Sequence, residues 1–488
     1  MTNRRAGILL HPTSLDSEYG IGDLGPASYR WIDWLASTGC RLWQVLPLGP
    51  TGYGDSPYQC FSSCAGNPYL ISPELLVDDG LVEPSELENV PVGPVDFGGL
   101  VAPRSMLLDA AVARFEPNPE YSHFVAEQSD WLGDFSLFMA IKETQGLRSW
   151  IEWPEELRDR HAGAIADAQD RLKKRVHAHS VRQFLFFRQW RHLTETASEL
   201  GVQIIGDIPI FVAHDSSDVW TNRELFTVDQ SGRLETMAGV PPDYFSPTGQ
   251  LWGNPLYRWD VHATTGYRWW INRLRAVLGM VDIVRIDHFR AFADYWSIPA
   301  GAETAETGEW RDGPADDFFA GIRAGLDDLP IIAEDLGDLS PAVGELRDRL
   351  GLPGMKILQF AFDGDPTNPF LPEHYPTNCV VYTGTHDNET VRGWFENASH
   401  AERETALGHV GGDGTDFGRR MIETAWRSRA DYAVAPLQDF LGLGNEGRMN
   451  TPGIPDGNWR WRLSPGSLTS DLAEEIRRIN TAAGRLDR

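Results

Sequence analysis

The chain has 488 residues and a net charge of −27, with 43 Lys and Arg against 70 Asp and Glu, which excludes nucleic-acid binding because phosphate contacts need a basic surface. Its 41% hydrophobic content can fill one large core or two modest ones, and no apolar run approaches the length of a membrane-spanning helix. Four cysteines are too few for a secreted disulfide scaffold, and the N-terminal residues lack the apolar stretch of a signal peptide, so a cytoplasmic protein is expected. The acidic balance is also one that keeps a surface solvated at high salt. Eighteen Trp supply flat faces of the kind that stack on sugars, although most Trp in a large domain serve packing.

In chain order, the first short apolar run is 41–48. Residues 51–200 separate it from the next, 202–207; within that gap, 158–200 contains one Gly, Gly163, and no Pro, and is predicted to be helical. A second long gap, 213–280, contains the Gly-, Pro-, Tyr- and Trp-rich segment 241–255 and a helical pattern at 267–278. Runs at 281–287, 330–335, 356–362, 380–387 and 432–437 follow. A helix is predicted over 341–350, with Ser340 placed to cap it and Pro341 in its first turn.

Short apolar runs of this kind fit strands buried on both faces, and their alternation with helices argues a parallel sheet. Their count approaches eight, so the expected class is α/β: a (β/α)8 TIM barrel interrupted by inserted, largely helical subdomains. Such a barrel takes roughly 250 residues, so about half the chain is insertion. No Pro/Gly/Ser linker divides it. Residues 1–488 are therefore read as a single catalytic barrel. Segment 51–200 is an insertion with a helical subdomain, and 213–280 an insertion carrying an active-site lid at 241–255. Gly249 and Gly253 are expected to flex in that lid, and Tyr244 and Trp252 to cover a sugar face.

Barrel enzymes place their chemistry at the C-terminal ends of strands. Four runs end at or beside an acid: Asp207, Asp287, Glu334 and Asp387. A glycosidic bond breaks through an oxocarbenium-like state. One carboxylic acid must protonate the leaving oxygen, and one carboxylate must attack or support the anomeric carbon. The shorter Asp287 suits the nucleophile and the longer Glu334 the acid/base. Arg285, two residues before Asp287, shares its face of a strand and should keep it ionised. Glu334, near that charge and partly desolvated, should hold its proton. Asp387 is expected to grip sugar hydroxyls together with His386, which could equally be a core histidine. Asp207 is open between sugar contact and structural support. Cys60 and Cys64 lack a second ligand pair, and His177 and His179 lie in the helical insertion, so no metal is expected.

At these residues the sequence resembles the amylomaltase family, the bacterial 4-α-glucanotransferases (disproportionating enzymes) related to α-amylases. Matching blocks run from HPTSL at 11–15 through LPLGPTGYGDSPYQ at 46–59, GDIPIFV at 206–212 and PPDYFS at 241–246. They continue with WGNP at 252–255, VRIDHFR at 284–290, AEDLG at 333–337, YTGTHDN at 382–388 and NWRWR at 458–462. The resemblance implies the same three roles for Asp287, Glu334 and Asp387, the short type without an added N-terminal domain, and no cofactor or metal. It implies retaining transfer of α-1,4-glucan segments from donor maltodextrin or amylose to the 4-OH of an acceptor glucose or glucan, with cyclic amylose as a possible product. It points to an acceptor-side platform at Tyr58, after Ser56, and to a hydroxyl partner at Asn458. The matching blocks add Asp243, Asn254 and His288 as substrate contacts. A monomer or weak homodimer is expected, with no membrane or nucleic-acid partner. Ala291 and Glu389 stand where the family pattern has Gly and Asp. The alternative is an α-amylase-like or debranching glycoside hydrolase using the same carboxylates.

Overall fold

The structure, a computed structural model, describes residues 4–87, 93–242, 246–327, 329–337 and 339–486. Its strands, in chain order, are β1 (Arg5–Leu9), β2 (Leu42–Gln44), β3 (Gln203–Pro209), β4 (Thr236–Val240), β5 (Gln250–Pro255), β6 (Ile283–Asp287), β7 (Asp294–Pro299), β8 (Glu309–Asp312), β9 (Ile331–Ala333), β10 (Gly354–Ile357), β11 (Cys379–Tyr382) and β12 (Tyr432–Pro436). Eight of them form one parallel sheet in the order β10-β11-β12-β1-β2-β3-β6-β9. The seam between β9 and β10 is bridged by the Ala333 N–H, which donates to the Pro353 carbonyl at 2.9 Å. Asp335 completes the closure: its carboxylate accepts the Met355 N–H at 2.7 Å and pairs with Arg347. The result is a nearly closed (β/α)8 barrel.

The barrel interior is a separate buried cluster that includes Leu9, Leu42, Ile205, Ile332, Met355 and Tyr382. Aliphatic side chains on inward positions of different strands fill it in layers, so the centre is packed rather than hollow. Strand β1 escaped the sequence reading because Gly7 interrupts its apolar pattern. Gly7 is dictated by its neighbour: a Cβ there would lie 2.5 Å from the Leu42 Cβ on β2. Strand β10 starts two residues before the expected run and stops at Ile357, where a 3-10 turn over Leu358–Ala361 takes over.

The gap between β2 and β3 is helical, as expected, with helices Phe97–Arg114, Pro119–Glu127 and Leu132–Thr144 and the 38-residue helix Ala162–Glu199. The last buries Val181, Phe184, Leu185, Trp190 and Leu193 and joins the insertion to the barrel, Phe184 packing on Phe115, Tyr121 and Phe124 and Trp190 on Trp43. Trp190 Nε1 fixes the contact by donating to the Met280 carbonyl at 2.8 Å. A second sheet was not anticipated. Strands β5-β4-β7-β8 form it antiparallel, drawn from the segments before and after β6. Its strands are short and partly exposed, with β8 exposed at every position, so no hydrophobic alternation announced them. Of the segment 241–255 expected to form a lid, Gln250–Pro255 is strand β5, and residues 243–245 lie outside the described residues.

Helices Arg268–Leu278 and Pro341–Leu350 stand where predicted. Ser340 occupies the cap position, but its hydroxyl donates to Asp294 instead of capping the helix.

Candidate active site

The ends of β3, β6, β9 and β11 converge on Arg285, which is almost fully buried at the top of the barrel core. Its Nη1 donates to both Asp207 oxygens at 2.8 and 2.7 Å, its Nη2 to Asp287 Oδ1 at 3.0 Å, and its Nε points at Met355 Sδ, 3.4 Å away. A planar guanidinium holding two carboxylates and resting on the core cannot rotate, so Asp287 is held in one orientation.

The polar chain continues across the barrel mouth. Asp207 Oδ2 also accepts the Tyr58 hydroxyl at 2.8 Å, and the Tyr58 oxygen lies 2.9 Å from His386 Nε2. Because the one Tyr58 proton goes to Asp207, His386 Nε2 must carry hydrogen and donate to Tyr58. The same nitrogen is 3.3 Å from Asp387 Oδ2. Asp287, Arg285, Asp207, Tyr58, His386 and Asp387 therefore form one continuous network. Asp287 and Asp387 still open on the cleft, with side chains 32% and 41% exposed, whereas the Asp207 side chain is fully buried. Asp207 is held inside the network by Arg285 and Tyr58.

Glu334 follows β9 and is gripped by backbone. Its Oε2 accepts the His288 N–H at 2.6 Å and its Oε1 the Leu336 N–H at 3.0 Å. His288 is left-handed, with φ 56°, a conformation that costs a non-glycine residue about 1 kcal/mol or more and is kept where the surroundings enforce it. Here it turns the peptide after Asp287 so that its N–H meets Glu334. Glu334 and Asp287 are thus fixed to each other through a single peptide unit.

These contacts split the protonation of the acids. Burial and the neighbouring Asp287 push Glu334 up to about 8, against the pull of Arg285 and the two backbone amides. Burial also raises Asp287, to about 6, aided by Asp207 and Asp387 and opposed by Arg285. Arg285 acts in the expected direction, but it shares its charge with Asp207, so Asp287 is ionised at neutral pH without being held low. Burial would raise Asp387 too, yet His386 and Asn450 outweigh it and bring it to about 2. Burial disfavours a charged His386, but Asp387 more than compensates and its affinity for a proton rises.

The other expected residues divide. Trp252 lies on β5 with its ring edge-on to His288, centroids 4.8 Å apart at 90°; burial pushes the His288 imidazole down to about 3, so it is neutral. Ser56 Oγ accepts the Tyr58 N–H at 3.2 Å, shaping the turn that presents Tyr58. Asn254 is buried. Its oxygen accepts Gln59 Nε2 at 3.0 Å and its Nδ2 donates to the Val212 carbonyl at 2.9 Å, so it braces β5 against the Tyr58 loop. The Asn458 amide is engaged within its own loop, accepting the Thr451 N–H at 2.9 Å and donating to the Ile454 carbonyl at 2.7 Å. Asp243 and Tyr244 lie outside the described residues. Ala291 sits in a 3-10 turn that needs no glycine, and Glu389 Oε1 accepts Asn397 and Asn445 amides at 2.6 Å each.

Sequence reasoning missed three residues. Asn450 Nδ2 donates to Asp387 Oδ1 at 2.6 Å, and Arg448 Nη2 donates to the Asp387 carbonyl at 2.7 Å. Trp459, with φ 64°, sets its ring 5.9 Å from those of Tyr58 and His386. All three belong to the segment after β12: Trp459 stands in the matching block at 458–462 but carried no assigned role, and Arg448 and Asn450 adjoin no acid at a strand end.

A family model described as 4-alpha-glucanotransferase, glycoside hydrolase family 77, matches residues 10–469. The chain is 48% identical to the 4-alpha-glucanotransferase of Thermus thermophilus and 47% to that of Synechocystis sp., over 99% of each chain in both cases. Among solved structures it is similar to the amylomaltase from Streptococcus agalactiae in complex with acarbose, with a TM-score of 0.96 and 38% identity over 99% of this chain and 100% of that one. The amylomaltase from Corynebacterium glutamicum, 19% identical, shares the fold with a TM-score of 0.78 over 99% of this chain and 75% of that one.

Proposed function

The chain belongs to the 4-alpha-glucanotransferase family, and from that premise we propose a double displacement in which Asp287 is the nucleophile, Glu334 the acid/base and Asp387 the transition-state stabiliser. Its activity is glycosyl transfer on α-1,4-glucans. The observation that carries the assignment is the placing of two carboxyl groups across one peptide unit, Asp287 on the Arg285 guanidinium and Glu334 on the His288 and Leu336 amides; burial and mutual repulsion then split them, Asp287 at about 6 and Glu334 at about 8. At neutral pH one is a carboxylate and the other an acid, as the first step requires.

Glu334 gives its proton to the glycosidic oxygen while Asp287 attacks the anomeric carbon. The bond to the leaving glucan breaks and a glucosyl ester to Asp287 forms. As this ester forms, the negative charge that raised Glu334 is neutralised and the affinity of Glu334 for a proton falls, so the carboxylate left by the first step stays ionised and is available as the base. Its carboxylate then removes the proton from the acceptor 4-OH. That oxygen attacks the same carbon, Asp287 leaves, and two inversions give net retention. Asp387, ionised and open to the cleft, accepts hydrogen bonds from ring hydroxyls as positive charge builds on the sugar.

Water competes with the acceptor for the ester, so transfer depends on exclusion of water and on a held acceptor. The β4–β5 pair supports that reading: Trp252 stands against His288, next to the nucleophile, and Asn254 ties the pair to the loop carrying Tyr58. Donor maltodextrins or amylose, glucose or glucan acceptors and some cyclic product fit this cleft. Incubation with maltotriose tests the proposal. Glucose and maltodextrins longer than three units should appear while reducing ends stay constant; a steady rise in reducing ends with only shorter products would replace transfer by hydrolysis.

A further inference from the structure

Asp387 cannot orient itself. It lies in the turn after β11, with no helix or strand to fix its side chain. Two groups of one later segment hold that turn, and a third contact braces the segment itself. The Asn450 N–H donates to the His386 carbonyl at 3.0 Å, Arg448 Nη2 donates to the Asp387 carbonyl at 2.7 Å, and Arg448 Nε donates to the Asn450 carbonyl at 2.8 Å. These are backbone contacts. Only one reaches the reacting group: Asn450 Nδ2 on Asp387 Oδ1, at 2.6 Å. The other oxygen, Oδ2, faces His386 Nε2 at 3.3 Å.

We infer that Asn450 is a positioning residue for the reaction, acting through Asp387: its amide clamps one carboxylate oxygen so that the remaining lone pairs are presented to the sugar hydroxyls. An Asn at this place supplies a neutral donor. It stabilises the ionised carboxylate without adding a charge that would compete with the oxocarbenium ion. The low affinity of Asp387 for protons agrees with this, since the Asn450 contact is among its causes. The charged groups around Asp387 are His386, Arg285 and Asp287, with Arg448 engaged on its main chain. None of these lies on the segment that carries Asn450 except Arg448. This inference rests on the stabiliser role of Asp387.

The test is kinetic, on the full-length enzyme with maltotriose as donor and acceptor. Asn450→Ala should lower kcat about ten- to hundredfold, the range for loss of a charge-assisted hydrogen bond, and leave KM within about twofold. In a cycle, Asn450→Ala added to Asp387→Asn should cost nothing further, because the group it serves is gone. Asn450→Asp, nearly isosteric, should be worse than Asn450→Ala at pH 8, where the introduced carboxylate repels Asp387. Its activity relative to the parent should recover toward pH 5.5, as the introduced carboxyl gains a proton and can donate. Melting curves confirm that each variant is folded, and the near-isosteric variant keeps the test alive if the alanine variant is not. Additive losses in the cycle overturn the inference, as does a deficit that is equal for Asp and Ala and independent of pH. The reading beneath it fails differently: Asp387→Asn alone would then be close to the parent in kcat.

Discussion

The acid pair predicts a narrow bell for the pH dependence of kcat/KM. With Asp287 ionising at about 6 and Glu334 at about 8, the productive form carries charge on Asp287 and a proton on Glu334. On these values about four fifths of the free enzyme is productive at pH 7, and roughly a tenth at pH 5 or pH 9. Glucose release from maltotriose at low substrate should therefore fall about ninefold on each side of neutrality, the two limbs belonging to the pair rather than to single residues. Glu334→Gln removes the proton donor; activity should drop by about a thousandfold, and whatever remains should lack the basic limb. If the acidic limb instead lay near pH 4, where unperturbed carboxylates titrate, burial beside Asp207 and Asp387 would not be governing Asp287, and the electrostatic argument would be wrong.

Stability should move against activity at the same site. Glu334 titrates near 4.5 when unperturbed and at about 8 in the fold, so the folded state binds more protons between those values and loses stability as pH rises through them. Glu334→Gln escapes that loss, and its gain in Tm over the parent should grow from pH 5 to pH 8; a constant or shrinking difference would contradict the raised value. Trp252→Ala removes the ring standing against His288 and should raise reducing-end release per transfer event, while an unchanged ratio would remove the lid from the mechanism. Asp335→Ala strips the barrel seam of the acceptor for the Met355 N–H and of the partner of Arg347. It should cost about 2–4 kcal/mol in denaturant unfolding, whereas a loss under about 0.5 kcal/mol would mean that the seam holds without it.

The parts of this molecule legible in its sequence were those that local chemistry specifies. Strands buried on both faces announce themselves as short apolar runs, and an acid at the end of such a run, as at Asp287 and Glu334, contradicts the run and so stands out. The helix Ala162–Glu199 was readable from the near absence of Gly and Pro. Strand β1 was hidden because Gly7 answers to Leu42 on another strand, not to its own neighbours. The antiparallel sheet was hidden because its strands are half exposed and pair across a gap that contains β6. Asn254 and Asn458 show what motif matching leaves unsaid: Asn254 bonds Gln59 and the Val212 carbonyl, and Asn458 bonds its own loop, contacts that no spacing along the chain announces. Asn450 shows the converse. It is 63 residues from Asp387, and no pattern along the chain links the two.

Double displacement requires that Asp287 become bonded to glucose. A slowly turned-over fluorinated maltosyl donor supplied to the Glu334→Gln variant, followed by proteolysis and mass spectrometry, examines this step alone. The glycosyl mass should be found on the peptide containing Asp287, as an ester cleaved by mild base. The mass on a different side chain, or no adduct together with a product of inverted configuration, would show that another residue, or water, attacks the sugar.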